Sequence, residues 1–248
     1  MDLRNGVIMS GHVKVLTEKM LKNLKLEVKT SQVEQLTLYT IMLLDGLQRQ
    51  RLTGEKTAEG IIEKQIYDSL YPLQVTAFTP ESEILDLGSG GGLPGIPLKI
   101  CKPEIIIYLM DSNKRKINFL KETVGKLGLE RVYMLNGRAE DYGQNKYYRG
   151  KYDLVLSKAV AEAAVLAEIM LPLAKVGGRV LFYKGPRGEQ EVAEAEKAID
   201  VCGGKADKVW FYKLPSGEDR ILYQLIKIKS TPAKYPRRSG KPAGKPIN

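Results

Sequence analysis

The chain has 248 residues, 43% of them apolar, with a net charge of +10 and two cysteines. The length suits one sizeable α/β domain with an appendage, or two small domains, and the apolar fraction excludes global disorder. Cys101 and Cys202 are far apart and match no metal-ligand spacing, so both read as reduced structural residues, with no disulfide framework and no metal site expected.

The first residues, MDLRNGVIMSGHVKVL, hold no apolar run long enough for a signal peptide. The longest strongly apolar stretch, 105–110, has a strand's length and not a membrane span's. The expectation is a soluble, cytoplasmic protein without membrane contact. Residues 1–80 read as helices. Ser31-Gln32-Val33-Glu34 fits a capping box, and Val33, Leu36, Ile41, Leu44 and Leu47 follow at helical spacing. Ile62, Ile66 and Leu70 continue the pattern, and Pro72 and Pro80 bracket the exit. Lys22, Lys25 and Lys29 read as a solvated helix face, and the single histidine, His12, as a surface residue.

From residue 83 the rhythm changes. Short apolar runs at 84–87, 105–110, 132–135, 154–156, 180–183, 209–212 and 221–228 alternate with amphipathic stretches at 94–101, 113–125, 161–172 and 188–199. Strand–helix alternation of this kind predicts a mostly parallel, doubly wound sheet. Only Leu214-Pro215-Ser216-Gly217 separates the last two runs, which predicts an antiparallel hairpin at the sheet edge. The division expected is a helical region 1–80 packed on a main domain 81–228, then a tail 229–248.

That tail, KSTPAKYPRRSGKPAGKPIN, carries six basic residues, no acid and four prolines, so it holds six of the ten excess charges. It reads as extended, without regular structure. Its charge fits a polyanionic partner such as nucleic acid, and equally a solvated segment that aids solubility.

The sharpest feature is Ile84-Leu85-Asp86-Leu87-Gly88-Ser89-Gly90-Gly91-Gly92-Leu93-Pro94. A buried strand runs into glycines and then into a helix, where free N–H groups meet a ligand at the carboxyl end of the strand. A dinucleotide loop needs its third glycine at position 93, which is Leu here. The pattern is instead G-x-G-x-G at Gly88, Gly90 and Gly92, preceded by Asp86, which is typical of S-adenosylmethionine sites. The next strand ends Met110-Asp111-Ser112; an acid there accepts hydrogen bonds from both ribose hydroxyls, while Asp111 or Ser112 also suits a helix cap. Gly137-Arg138-Ala139-Glu140-Asp141 follows the third strand, where such folds border the adenine ring.

These residues resemble a known family. D-L-G-S-G-G-G-L-P-G-I-P-L-K-I (86–100), D-S-N-K-R-K-I-N-F-L (111–120), G-R-A-E-D (137–141), A-V-A (159–161), L-P-L-A-K-V-G-G (171–178), Y-K-G (183–185) and Y-P-R-R-S-G-K-P-A-G-K-P-I (235–247) are similar, in order, to the bacterial 16S rRNA guanine-N7 methyltransferases (RsmG, also called GidB). The resemblance implies a class I S-adenosylmethionine-dependent methyltransferase. Its fold would be Rossmann-like, with a mostly parallel seven-stranded sheet, an antiparallel C-terminal edge hairpin and a helical N-terminal extension. It implies S-adenosylmethionine as cofactor and 16S rRNA of the small ribosomal subunit as partner. Asp86, Gly88, Gly90, Gly92, Leu93, Asp111, Ser112, Ala139, Glu140 and Lys158 would form the cofactor site. Lys158 and Lys184 would be catalytic, and Arg138, Lys184, Arg187, Arg220, Arg237 and Arg238 would bind RNA. Lys234 would add a phosphate contact. Lys158 stands where the family usually has an arginine, and the stretches 49–53 and 63–70 lack the family's asparagines and histidine.

The chemistry fits. Guanine N7 carries a free lone pair, so alignment with the sulfonium methyl suffices and no base is needed. No cysteine is set for a covalent cytosine mechanism, and the fourth strand leads into Ser157-Lys158 without a [DN]-P-P-[YF] motif, which disfavours exocyclic amine methylation. Tyr235, Tyr183 and Trp210 are candidates to stack on a base, with core packing favoured for the last two. The competing readings are a methyltransferase with a small-molecule or protein substrate, a catalytically impaired rRNA-binding or assembly protein, and a nucleotide-dependent oxidoreductase, which Leu93 disfavours. A monomer is expected.

Overall fold

The computed structural model describes residues 3–247, with side chains from residue 9 onward. Residues 1 and 2 of the N-terminal stretch and Asn248 of the tail lie outside the described residues. Seven strands form one sheet: β1 (Glu83–Leu87), β2 (Ile106–Asp111), β3 (Val132–Asn136), β4 (Tyr152–Lys158), β5 (Ala174–Lys184), β6 (Gly204–Lys213) and β7 (Asp219–Lys227). Their spatial order is β3-β2-β1-β4-β5-β7-β6. The first five are parallel, and β7 pairs antiparallel with both β5 and β6. The order reverses between β1 and β4, and a doubly wound sheet opens its ligand crevice at that point, beyond the carboxyl ends of the strands.

Period-two alternation sends successive side chains of each central strand to opposite faces. Ile84, Leu154, Leu156, Leu181 and Tyr183 enter one buried cluster, and Leu85, Leu87, Val155, Val180 and Phe182 enter the other. The first cluster is covered by α1 (Leu3–Asn23), α2 (Thr30–Leu47), the segment 58–75, α6 (Gly95–Cys101) and α7 (Lys114–Leu127). That segment contains α3 (Ala58–Gly60), a π-helical stretch Ile61–Ile66, α4 (Tyr67–Leu70) and α5 (Pro72–Val75). The second cluster is covered by α8 (Ala139–Gln144), α9 (Ala163–Met170), α10 (Gly188–Glu194) and α11 (Glu196–Val201), with Tyr235 and Ile247 of the tail packed against it.

Several local expectations shift. The capping box at Ser31 is displaced: α2 begins at Thr30, and the Gln32 side chain accepts the backbone N–H of Lys29 at 2.7 Å. Of the expected α2 stripe only Leu36 is buried, joined by Tyr39 and Leu43, while Val33, Ile41, Leu44 and Leu47 are half-buried. α2 packs on α1, α6 and α7, and the face it buries is centred on Leu36, Tyr39, Thr40, Leu43 and Gly46 instead of on the expected stripe. The helix expected over 188–199 breaks at Ala195 into α10 and α11. The tail is not an extended, structureless segment. It ends in a single helical turn, α12 (Lys241–Gly244), and is bound along its length to the body of the protein.

Candidate active site

The loop after β1 is built by its glycines. Gly88, Gly90 and Gly92 have φ of +77°, +57° and +100°, in the left-handed region where a side chain is strained. The turn is closed by Gly92 and Leu93 N–H donating to the Ser89 carbonyl at 2.7 and 3.0 Å. A Cβ at Gly88 would fall 2.4 Å from the Val160 side chain, so the turn after β4 presses directly on this loop. Leu93 is buried in the first apolar cluster and anchors the loop to the core.

Asp86, one turn below, is wholly buried. Its Oδ2 accepts the Gly95 N–H at 2.9 Å, while Oδ1 has no partner among the described residues. Burial pushes this carboxyl up to about 7, against the Gly95 hydrogen bond and the nearby Ser89 hydroxyl and Lys158 ammonium.

Asp111 closes β2 beside the loop. Its Oδ2 accepts the Gly90 N–H at 3.0 Å and its Oδ1 the Asn113 N–H at 2.8 Å. The N-cap of α7 is neither Asp111 nor Ser112 but Asn113, whose side chain accepts the Arg115 N–H. Asp111 is thereby left facing the glycines, with the Lys116 ammonium 3.7 Å from its Oδ2 and a lone pair still free on Oδ1. Ser112 is exposed at the tip. Ala139 and Glu140 are buried at the start of α8, and Glu140 Oε1 accepts the Gly240 N–H from the tail at 3.0 Å.

The predicted cations divide into two groups. Arg138, Arg187 and Arg238 are exposed, and Arg220 is half-buried at the start of β7, on the same sheet edge as the ends of β4 and β5. None of these four side chains forms a salt bridge among the described residues. The other three are engaged inside the protein. Lys184 is buried and donates to the Ala161 carbonyl and to Glu191, both at 2.7 Å, so it is not the free cation expected at a strand tip. Arg237 is not a free tail charge either. Its backbone N–H and Nε donate to Glu168 at 2.9 and 2.8 Å, and its Nη2 donates to the other oxygen of that fully buried carboxylate. Lys158 pairs with Asp68 at 3.1 Å and donates to the Gln65 carbonyl at 2.9 Å. Burial pulls its ammonium down, and the Asp68 carboxylate opposes that shift.

The structure adds contacts that the sequence did not tie to this site. The Tyr39 hydroxyl donates to the Gly91 carbonyl at 2.9 Å, and Leu52 packs over the same glycine, so the N-terminal helices help to build the loop. Asp68 also accepts from the Tyr212 hydroxyl, and the Tyr212 ring stacks on Tyr71 with centroids 3.6 Å apart. The π-helical stretch Ile61–Ile66 carries Gln65 to the end of β4; π-helical turns frequently mark functional sites. A cleft beside the β2 tip is lined by Arg51, Leu52, Asn113, Arg115 and Lys116, a second basic rim opposite the tail. The segment 49–53 was visible as part of the resemblance, but nothing in its spacing tied it to the glycine loop. His12 is exposed and bonds Glu59, as a surface residue does. Tyr183 is core, its hydroxyl donating to the Ser69 carbonyl, and Trp210 packs half-buried against the first cluster.

No helix of the described residues is long and apolar enough to cross a membrane. A model of the GidB family, rRNA small subunit methyltransferase G, matches residues 32–221. The chain is 42% identical over 224 residues to "Ribosomal RNA small subunit methyltransferase G" of Lactobacillus johnsonii, covering 89% of this chain and 94% of that one. It is 41% identical over 242 residues to the protein of the same name from Lactobacillus helveticus, covering 96% of each. Among solved structures, M. jannaschii TYW2 in complex with AdoMet superposes with a TM-score of 0.52 at 13% identity, covering 71% of this chain and 80% of that one, a likeness of fold alone. With a sheet opening at β1 and β4, a glycine loop at that opening and sequence identity that runs into the tail, the chain belongs to the rRNA small subunit methyltransferase G family.

Proposed function

We propose that the protein transfers the methyl group of S-adenosylmethionine to N7 of a guanine in 16S rRNA of the small ribosomal subunit, in the cytoplasm. The observation that carries this reading is the glycine loop with Asp111 held on its inner N–H, at the sheet's switch point. The residues fit the cofactor on chemical grounds. The loop's left-handed glycines keep the backbone of the turn free of side chains of its own at Gly88, Gly90 and Gly92, Asp111 can accept ribose hydroxyls at the tip of β2, and Asp86 keeps a partnerless oxygen beneath the loop.

In this reading Gly88, Gly90, Gly92, Leu93 and Ser112 line the cofactor, Asp111 holds its ribose, and Ala139 and Glu140 border its adenine. The cofactor supplies an electrophilic methyl on a sulfonium centre. The protein's task is alignment, because the N7 lone pair needs no deprotonation; orientation of this kind is worth roughly 7–11 kcal/mol in favourable cases. Lys158 and Lys184 act as positioning residues. Lys158 ties the π-helical segment to the end of β4, and Lys184 ties α10 to the loop after β4. Arg138, Arg187, Arg220 and Arg238, with the rim at Arg51 and Arg115, supply phosphate contacts, so affinity for RNA falls as salt rises.

The test is incubation of the protein with radiolabelled S-adenosylmethionine and small subunits that lack 7-methylguanine, then chemical cleavage of the RNA at 7-methylguanine. Label with cleavage at one site is expected. Label without cleavage moves the target atom. Absence of label, despite S-adenosylhomocysteine binding, overturns the substrate.

A further inference from the structure

The tail is bound where its composition predicts freedom, and its bonds form a continuous series. At its root, the buried Lys227 donates to the carbonyls of Leu171 and Cys202 at 2.7 and 2.8 Å and to the Thr231 hydroxyl. Arg149, at the end of the α8 loop, then spans the chain: its Nη1 donates to Tyr235 O and its Nη2 to Thr231 O, both at 2.7 Å, while Nη1 also reaches Gly143 O. Arg237 closes on the buried Glu168 of α9 and donates to the Lys245 carbonyl at 2.8 Å, which sets the final turn. At the far end, the Gly240 N–H donates to Glu140 and the Ser239 hydroxyl bonds Asp141, both at 3.0 Å.

Two properties meet on this one segment. Its inner side holds the carboxylate of Glu140 in place at the start of α8. Its outer side presents Arg238, Lys241 and Lys245, which are exposed and form no salt bridge among the described residues. We propose that the C-terminal tail is a clamp that couples rRNA binding to cofactor binding, by holding Glu140 from within and meeting RNA phosphate from without. The coupling rests on Glu140 bordering the adenine, as proposed above.

A polyanion on the outer cations favours the docked tail, since an undocked tail has the same charges but no fixed surface to place them on. The docked tail fixes Glu140, so RNA bound outside favours cofactor bound inside. Linkage makes the effect reciprocal: the cofactor strengthens RNA binding by the same factor.

Equilibrium dialysis of radiolabelled S-adenosylhomocysteine against the full chain, with and without small ribosomal subunits, tests this. Subunits are expected to tighten binding about ten-fold, within the usual range of coupling. Arg149→Met, and separately Glu168→Ala, release the tail, with trypsin cleavage after Arg237 and Arg238 as the readout of release, since Pro242 follows Lys241 and blocks cleavage there. Each is expected to weaken binding in the absence of RNA by about ten-fold and to lose the RNA effect. The triple variant Arg238→Ala, Lys241→Ala, Lys245→Ala keeps the docked tail and the RNA-free affinity but loses the tightening. Unchanged affinity in chains whose tails trypsin cuts overturns the clamp, as does tightening that persists in the triple variant. If the parent chain binds no S-adenosylhomocysteine at all, the cofactor reading itself fails, and the clamp with it.

Discussion

The glycine loop and the C-terminal tail both carry clear sequence signatures, but only one signature foretold its structure. The loop is a local device. Its glycines, Asp86 and Asp111 lie within 26 residues, and the strand, turn and helix that their order predicts are the ones that form, with Asp111 on the Gly90 N–H and Asp86 on the Gly95 N–H. The tail, rich in proline and lysine, reads as unstructured, yet is fixed by partners 69 to 100 residues away in sequence, Glu168 and Glu140. Composition reports what a segment does alone. It is silent about a carboxylate buried on a distant helix that is waiting for an arginine.

That contrast can be broken at either end. The largest effect is expected at the loop. Gly88→Val places a branched side chain at φ +77° against Val160, and should reduce S-adenosylhomocysteine affinity by about 3 kcal/mol or more, roughly hundred-fold, in calorimetric titration. Binding retained within a few-fold would show that the loop is not the cofactor's cradle.

At the tail, Glu168→Ala removes the acceptor of the three Arg237 hydrogen bonds and should cost on the order of 3 kcal/mol in denaturant unfolding, with trypsin cleavage at Arg238 appearing at the same time. A tail that stays protected in this variant would mean that Arg149 alone suffices.

Asp86 sharpens the loop's side through pH. Its folded-state carboxyl titrates near 7 because burial disfavours the charge, whereas the unfolded carboxyl titrates near 4. Between those values the folded state holds the extra proton, so the stability due to this group is present at low pH and is lost as pH rises through about 7. Asp86→Asn carries no such charge. The stability of the variant relative to the parent should therefore climb by up to about 1.4 kcal/mol per pH unit between about 4 and 7, then level off. A flat difference would place Asp86 in a wetter setting than its burial implies.

The smallest effect belongs to the tail's outer face. Arg238→Ala should weaken subunit binding and lower the slope of log affinity against log salt by about 1, with no change in fold. An unchanged slope removes Arg238 from the RNA surface and leaves the tail's charge to solubility.

Much of the molecule was legible beforehand. All seven strands fall where apolar runs predicted them: the central strands because burial on both faces leaves continuous apolar runs, and the largely exposed edge strands β3 and β6 because they are rich in β-branched and aromatic residues. The edge hairpin at 214–217 was legible for the same reason, since two strands with no room for a helix between them can only turn back. The cations were not. Lys184, Arg237 and Lys158 read as free charges, and each is paired with an acid that no spacing rule connects to it: Glu191, Glu168 and Asp68. A lysine's sequence neighbours do not say whether it faces water or a buried carboxylate.

The sequence by itself determined the mostly parallel sheet, the glycine loop at the end of its first strand and the acid at the tip of the second, because each depends on short-range pattern: period-two burial, backbone freedom at glycine, and the position of a residue at a strand's end. Only the tertiary structure decided that Tyr39 and Leu52 brace the loop, that Asp68 and Gln65 engage Lys158, and that a basic tail is docked instead of free. Those contacts join residues that the chain separates widely, and the free energy of a buried charge is set by what the fold brings to it.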